Sequence, residues 1–317
     1  MKKVKVGIDI GGTSTKFGIV DLNGNVLFRN SISSKTHSDV RYFMDDLSET
    51  IDRNLKELGT DVVLDGIGIG APNGNIHQGT IEHAPNLVWK GIVPFIELFK
   101  DYYDVPMVLT NDANAAALGE LLYGAAKDMK DFIVLTLGTG LGGGIVSGGK
   151  LLYGHNGFAG ELGHITVNPV GRHCGCGKRG CLETYVSATG IKRTVYKLLA
   201  DFTYDSTLRG ISFDNLSAEM ITKEAINGDK IALEAFEYTG QILGTKLADF
   251  IIHTDPEAIF LSGGLANAGD FIFKPALRVM EESVMPIFRG KVKLLPSGLN
   301  SQDAAIIGAS SLIGLKM

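Results

Sequence analysis

Apolar positions along the chain follow two rhythms. Over 4–10 they alternate with polar residues or glycine, the two-residue period of a strand with one buried face. Gly11-Gly12-Thr13 breaks the run, and 16–20 reads as a returning strand. Asn23-Gly24 is a hairpin dipeptide, and 26–32 completes three strands. Between 38 and 58 the rhythm changes: Val40, Phe43, Met44, Leu47, Ile51, Leu55 and Leu58 recur at helical spacing. A Gly-rich strand over 66–70, a short helix over 93–99, a strand over 106–110 and an Ala-rich helix over 113–123 follow.

The pattern then restarts. The stretch 132–137 reads as a strand, 138–143 as a glycine turn, 144–147 as a returning strand, and Gly148-Gly149 as a turn into 150–153. A shift of 126 positions carries Gly12 onto Gly138, Thr13 onto Thr139, and Gly18-Ile19-Val20 onto Gly144-Ile145-Val146. This predicts an internal duplication of long period, two related α/β lobes rather than a solenoid. Helices are expected over 184–200, 217–227, 229–253, 271–284 and 303–315, with strands over 258–261 and 292–295.

Composition narrows the classes. A length of 317 residues fits two domains or one large one. The net charge of −5 argues against a general nucleic-acid binder, which needs a basic footprint. With 44% hydrophobic and 21% charged residues, wholesale disorder is excluded. The 41 glycines, about twice the usual share, cluster beside apolar runs without a collagen period. Met1-Lys2-Lys3 leads into alternation rather than a signal-peptide core, and no apolar run is long enough to span a membrane. All three cysteines lie between 174 and 181, which fits a metal or redox site in a reducing cytoplasm better than a disulfide framework.

Four stretches carry candidate chemistry. The first is the pair of glycine turns, Asp9-Ile10-Gly11-Gly12-Thr13 and Leu137-Gly138-Thr139-Gly140-Leu141-Gly142-Gly143, and the second is Asn111-Asp112. Glycine lets backbone N–H groups approach phosphate oxygens, and threonine adds a hydroxyl. Gly138, Gly140 and Gly143 satisfy G-x-G-x-x-G, but that fingerprint opens a helix, whereas Gly144-Ile145-Val146 reads as a strand. Gly144 through Lys150 approaches a Walker A motif, yet Leu151 stands where Ser or Thr is required. Two opposed hairpin turns clamping a triphosphate remain as the phosphate reading; otherwise both are plain tight hairpins. Asp9 would help hold Mg²⁺, or is an ordinary turn residue. Asn111-Asp112 stands between a strand and a helix. Either residue could cap the helix. In phosphoryl transfer, a carboxylate orients the attacking hydroxyl and takes its proton. Beside the phosphate turns, Asp112 reads as that base.

The third stretch is Gly160-Glu161-Leu162-Gly163-His164 with Cys174-Gly175-Cys176 and Cys181-Leu182-Glu183. Three thiolates need a fourth ligand for a tetrahedral Zn²⁺ site, which His164 or His173 could supply. Three free buried cysteines would fit poorly in a loop rich in Gly, Lys and Arg. No coordination position is evidently open, so the site reads as structural, holding Glu161, His164 and Glu183 around the vicinal hydroxyls of a sugar. The fourth is Phe260-Leu261-Ser262-Gly263-Gly264, where a strand ending in Gly-Gly leaves room for an adenine ring or simply turns into a helix.

Together these residues resemble the ROK family, bacterial sugar kinases and repressors built on one fold. The resemblance runs from Asp9 through Gly138-Thr139-Gly140 to Ser301-Gln302-Asp303-Ala304-Ala305. Glu161-x-x-His164 and the cysteine loop ending at Glu183 are its most specific marks. It implies an α/β fold of the two-lobed actin-like ATPase (ribonuclease H-like) class, with duplicated βββαβα cores and a cleft between the lobes. The expected domains are 1–115, completed by a helix over 303–317, and 116–302 with the zinc loop. It implies Asp112 as general base, and Asn111, Asp112, Glu161, His164 and Glu183 as sugar contacts. It implies Zn²⁺ on His164, Cys174, Cys176 and Cys181, one imidazole nitrogen on the metal and the other toward sugar, which leaves His173 out. ATP and Mg²⁺ would then lie against Asp9, Gly11, Gly12, Thr13, Gly138, Thr139, Gly140, Gly263 and Gly264.

The family's repressors carry an N-terminal helix-turn-helix module. Here the first strand starts near Val4, which favours an enzyme and no nucleic-acid partner. Ala84-Pro85-Asn86-Leu87-Val88-Trp89 and Ser187-Ala188-Thr189-Gly190-Ile191 resemble the glucokinase branch. Gly70-Ala71-Pro72-Asn73-Gly74 departs from relatives that have Gly directly after Pro. The expectation is a cytoplasmic, ATP-dependent hexokinase acting on the 6-hydroxyl of glucose, without a membrane partner, as a homodimer or homotetramer. The alternatives are an N-acetylmannosamine or N-acetylglucosamine kinase, a polyphosphate-using kinase, and a non-catalytic sugar sensor.

Overall fold

The computed structural model describes residues 1–300 and 303–314. It divides into two units, Met1–Met129 with Gly149–Gly160 and Gly298–Met317, and Lys130–Gly148 with Glu161–Ser297. The first unit opens with β1 (Lys2–Ile10), β2 (Ser14–Asp21) and β3 (Val26–Ser33). Val4, Val6, Ile8 and Ile10 are all buried, so the alternating face of β1 is the core face. Helix α1 (Val40–Glu57) begins at Asp39, whose side chain accepts from the Arg41 amide, and buries Phe43, Met44, Leu47 and Ile51. There follow β4 (Val62–Gly70), the short strands β5 (Gly74–Asn75), β6 (Thr80–Glu82) and β7 (Ile92–Val93), α2 (Phe95–Phe99), β8 (Met107–Thr110) and α3 (Asp112–Tyr123). The main sheet has the order β3-β2-β1-β4-β8.

The second unit opens with β9 (Phe132–Leu137) and β10 (Leu141–Ser147), after which β11 (Lys150–Leu151) falls in the 149–160 stretch of the first unit. Then come α4 (Ala188–Asp201), α5 (Ala218–Ile226), α6 (Lys230–Thr254), β12 (Ala258–Ser262), α7 (Asp270–Ser283) and β13 (Lys293–Pro296). Strands β10, β9, β12 and β13 lie side by side in the same sense as β2, β1, β4 and β8. In each set the first pair is antiparallel and the rest parallel. The shared strand order supports the duplication expected from the shift of 126 positions.

The chain returns to the first unit as α8 (Ala304–Ser310). Two glycines let it lie directly on the sheet: a Cβ on Gly7 would stand 2.0 Å from the Ile306 oxygen, and one on Gly68 1.9 Å from the Ala309 oxygen. This is the C-terminal helix expected over 303–317, shortened to about two turns. Ser301, Gln302 and 315–317 lie outside the described residues. The units part after Met129 rather than at 115/116. Helix α3 stays with the first unit because it packs on α8, where a Cβ on Gly119 would come within 3.0 Å of the Gly308 Cα. The helix expected from residue 184 starts at Ala188, with Ser187 capping it and Leu182–Thr184 forming a separate 3₁₀ turn.

Candidate active site

In the first unit, β1, β4 and β8 run parallel, with Asp9 opposite Gly70 and Gly70 opposite Thr110. Asp9 and the Asn111-Asp112 pair therefore sit at one edge, the carboxyl ends of the strands, where open α/β sheets bind ligands. Asn111 is the N-cap of α3, its side chain accepting from the Ala113 amide at 2.8 Å. Asp112 is the first helical residue, and its Oδ1 accepts from the same amide at 2.8 Å. Asn114, one turn below Thr110, donates to the Thr110 hydroxyl at 3.3 Å and ties the helix start to the strand end.

Both carboxyls hold their protons more tightly than an isolated aspartate. Asp112 has accessible surface, yet protein crowds it closely enough that burial pushes it above the usual carboxylate range, against the pull of amide hydrogen bonds from Ala113 and its own N–H. Burial and the nearby Asp112 charge push Asp9 up to about 7, with Lys16 opposing. Whichever of the two ionises second does so against the charge of the first.

The first glycine turn lies next to Asp9. Its Gly11 amide donates to the Ser14 carbonyl at 3.1 Å. A Cβ on Gly12 would meet the Asn86 Cβ and oxygen, each at 2.8 Å, so this backbone is pressed against the 84–89 segment. The Thr13 carbonyl accepts from the Ser34 amide at 3.1 Å.

In the second unit, β9 and β12 are parallel, with Thr136 opposite Ser262, so Gly138, Thr139 and Gly140 share a sheet edge with Gly263 and Gly264. The Leu265 amide donates to the Leu137 carbonyl at 3.1 Å and draws the two turns together. The Gly138 carbonyl accepts from the Ala188 amide at 2.8 Å.

Beside these turns, one ligand atom each from His164, Cys174, Cys176 and Cys181 lies within 4.8 Å of all the others. Cys174 Sγ is 3.6 Å from His164 Nδ1, and Cys176 Sγ is 3.6 Å from Cys181 Sγ. Zinc bonds of about 2.3 Å to sulfur and 2.0–2.1 Å to nitrogen give tetrahedron edges of about 3.5–3.8 Å, so the donor set fits that metal. The other imidazole nitrogen, Nε2, is 3.9 Å from Glu161 Oε2. His173 is held elsewhere: its Nε2 is 2.7 Å from Arg179 Nη2, and its carbonyl accepts from Arg193. Glu183 reaches both neighbours, with Oε1 3.6 Å from Cys174 Sγ and Oε2 accepting from the Leu141 amide at 3.0 Å.

The structure thus gathers the expected residues into two sets. Asp9, Gly11, Gly12, Thr13, Asn111 and Asp112 belong to the first unit. Glu161, His164, Glu183, the cysteines and the turns at 138–140 and 263–264 belong to the second. Sequence reasoning missed Arg172. Its guanidinium donates to the Thr184 and Gly190 carbonyls and the Thr194 hydroxyl at 2.7–3.0 Å and lies 4.4 Å over the Tyr185 ring, fastening the cysteine loop to α4. Carbonyl acceptors that meet only in the fold leave no trace in residue types.

The model of the ROK family matches residues 5–315. The chain is 34% identical over 316 residues to a glucokinase of Halalkalibacterium halodurans, covering 97% of this chain and 94% of that one. A ROK family glucokinase from Streptomyces griseus, solved in complex with glucose and AMPPNP, superposes with a TM-score of 0.82 at 31% identity, over 98% of both chains. A ROK family transcriptional regulator, homologous to the E. coli MLC protein, superposes with a TM-score of 0.87 at 26% identity, over 99% of this chain and 78% of that one. The α/β fold is the actin-like ATPase fold of these sugar kinases.

Proposed function

The chain belongs to the ROK family, and we propose that it is an ATP-dependent hexokinase that phosphorylates the 6-hydroxyl of glucose. The observation that carries this reading is the place of Asp112, an accessible carboxyl at the carboxyl edge of the first sheet, beside Asp9 and the 11–13 turn. Similarity to glucokinases over nearly the whole chain supports glucose as the hexose.

In this reading, Asp112 accepts the proton of the sugar 6-hydroxyl as that oxygen attacks the γ-phosphorus of ATP, and ADP leaves with the electron pair. The raised proton affinity of Asp112 makes it a stronger base than an ordinary aspartate. Asn111, whose oxygen caps α3, keeps its amide N–H groups to donate to a hydroxyl. Glu161 and Glu183 accept from sugar hydroxyls, and His164 Nε2 faces the same ligand. The backbone amides of 12–13 and 138–140 take the phosphates, and Gly263-Gly264 flanks the adenine. Magnesium, which Asp9 would help hold, would neutralise phosphate charge. Structural zinc on His164, Cys174, Cys176 and Cys181 would fix the loop that bears Glu183. The protein would act in the cytoplasm as a homodimer or homotetramer; among the described residues no helix is long and apolar enough to cross a membrane.

The test is a coupled ADP-release assay over glucose, N-acetylmannosamine, N-acetylglucosamine, mannose and fructose, with polyphosphate as a second donor. The reading expects the highest kcat/KM with glucose and ATP. A preference for an N-acetylated sugar would overturn the substrate but keep the mechanism. Sugar binding without turnover on either donor, in zinc-loaded protein, would replace the kinase with a sensor.

A further inference from the structure

The 138–140 turn is gripped at both ends by one short segment. At its start, the Gly138 carbonyl accepts from the Ala188 amide at 2.8 Å. At its end, the Leu141 amide donates to Glu183 Oε2 at 3.0 Å. The contact is tight: a Cβ on Gly140 would stand 2.4 Å from that same oxygen. On its other side Leu141 is pressed by the residue preceding His164, since a Cβ on Gly163 would come 2.1 Å from the Leu141 oxygen. Glu183 Oε1 meanwhile faces Cys174 Sγ at 3.6 Å. The turn is thus wedged between the two segments that carry the sugar and metal residues.

We infer that Glu183 is a positioning residue for the second phosphate turn as well as a sugar contact. This rests on the kinase reading of the site. A carboxylate has about four acceptor positions on its two oxygens, so it can hold the Leu141 amide and still accept from a hydroxyl. Hexose bound at Glu183 therefore fixes the amides that meet the phosphates, and each ligand raises the affinity for the other by the same factor. Disturbing the cysteine loop moves Glu183 and loosens the turn, although no cysteine touches nucleotide.

The experiment compares wild type, Glu183→Ala and Glu183→Gln. The first readout is amide hydrogen exchange at Leu141 in ligand-free protein; the second is calorimetric affinity for AMPPNP without sugar. A lost amide hydrogen bond predicts roughly tenfold faster exchange and roughly tenfold weaker nucleotide binding in Glu183→Ala. In Glu183→Gln the amide oxygen still accepts from Leu141, so both stay near wild type while glucose affinity falls. If Glu183 contacts sugar alone, both variants keep wild-type exchange and nucleotide affinity, and the inference fails. Should Glu183→Ala not fold, Gly140→Ala asks the reverse question: its methyl must displace the carboxylate and weaken glucose binding, and unchanged glucose affinity overturns the coupling. If wild type binds no hexose, the kinase reading fails and the coupling with it; the exchange data then decide separately whether Glu183 holds the turn.

Discussion

The two glycine turns repeat one hairpin on two sheets of the same strand order, yet their surroundings differ. The first closes Ile10 onto Thr15 and is braced by the Asn86 backbone, with two crowded carboxyls beside it. The second closes Leu137 onto Leu141, one residue tighter, and is braced by Glu183 and the segment preceding α4. Each turn offers backbone amides, and in the proposed reading both serve phosphate. What differs is the chemistry attached. The first unit supplies proton affinity and the second supplies position. Duplication thus preserved the backbone while the loops around it specialised, as expected when function resides in sites grafted on a fold.

The comparison breaks most visibly at Asp112. Asp112→Asn keeps the α3 cap, which belongs to Asn111, and is expected to bind glucose within a few-fold of wild type while kcat falls about 10²–10⁴-fold. Equilibrium binding and steady-state turnover on the same sample check it. Near-normal turnover would move the base elsewhere.

The second unit should fail differently. Stripping metal with a chelator, or Cys181→Ser at a fully buried sulfur, is expected to lower Tm by on the order of 10 °C and weaken glucose binding. Metal analysis should find about one zinc per chain before chelation. Unchanged Tm and glucose affinity after complete metal removal would rule out a structural role.

The turns themselves give a smaller contrast. Gly12→Ala puts a methyl 2.8 Å from the Asn86 oxygen, whereas the same change at Gly138 meets nothing within 4 Å. Overpacking of about 1–3 kcal/mol is expected at Gly12, seen as a lower Tm and a higher KM for ATP. Gly138→Ala should leave Tm unchanged and raise only the KM for ATP. Equal effects on Tm would mean the two turns are braced alike.

A last contrast lies in the pH dependence of stability without ligands. Asp9 binds its proton more tightly folded than unfolded, rising from 3.8 to about 7. Its contribution is therefore fully present below the unfolded value and is lost as pH rises through the folded one. Wild type should lose on the order of a few kcal/mol between pH 4 and 8 relative to Asp9→Asn. Parallel curves for the two proteins would show that Asp9 is well hydrated.

Much of the fold was legible because it rests on local rhythm. The alternation of β1 and the helical spacing of α1 correspond to faces that are in fact buried. The repeated glycine hairpins were legible as a shift of sequence onto itself. The unit boundary was not, because the partner of α3 is α8, from the far end of the chain. At the site, cysteine spacing pointed to a cluster, but spacing could not choose between His164 and His173. Arg179 and Arg193, which hold His173 away, become its neighbours only in the folded loop. The Glu183–Leu141 bond was hidden for a similar reason: its partners stand 42 residues apart, and the donor is a backbone amide that any residue type would supply.

The most direct measurement follows ¹³C-labelled glucose and ATP by carbon and phosphorus NMR over the zinc-loaded wild-type protein. The account predicts one ADP per glucose consumed and a single phosphomonoester on carbon 6. ATP hydrolysis with glucose intact, a phosphate on another hydroxyl, or no turnover at all would contradict it.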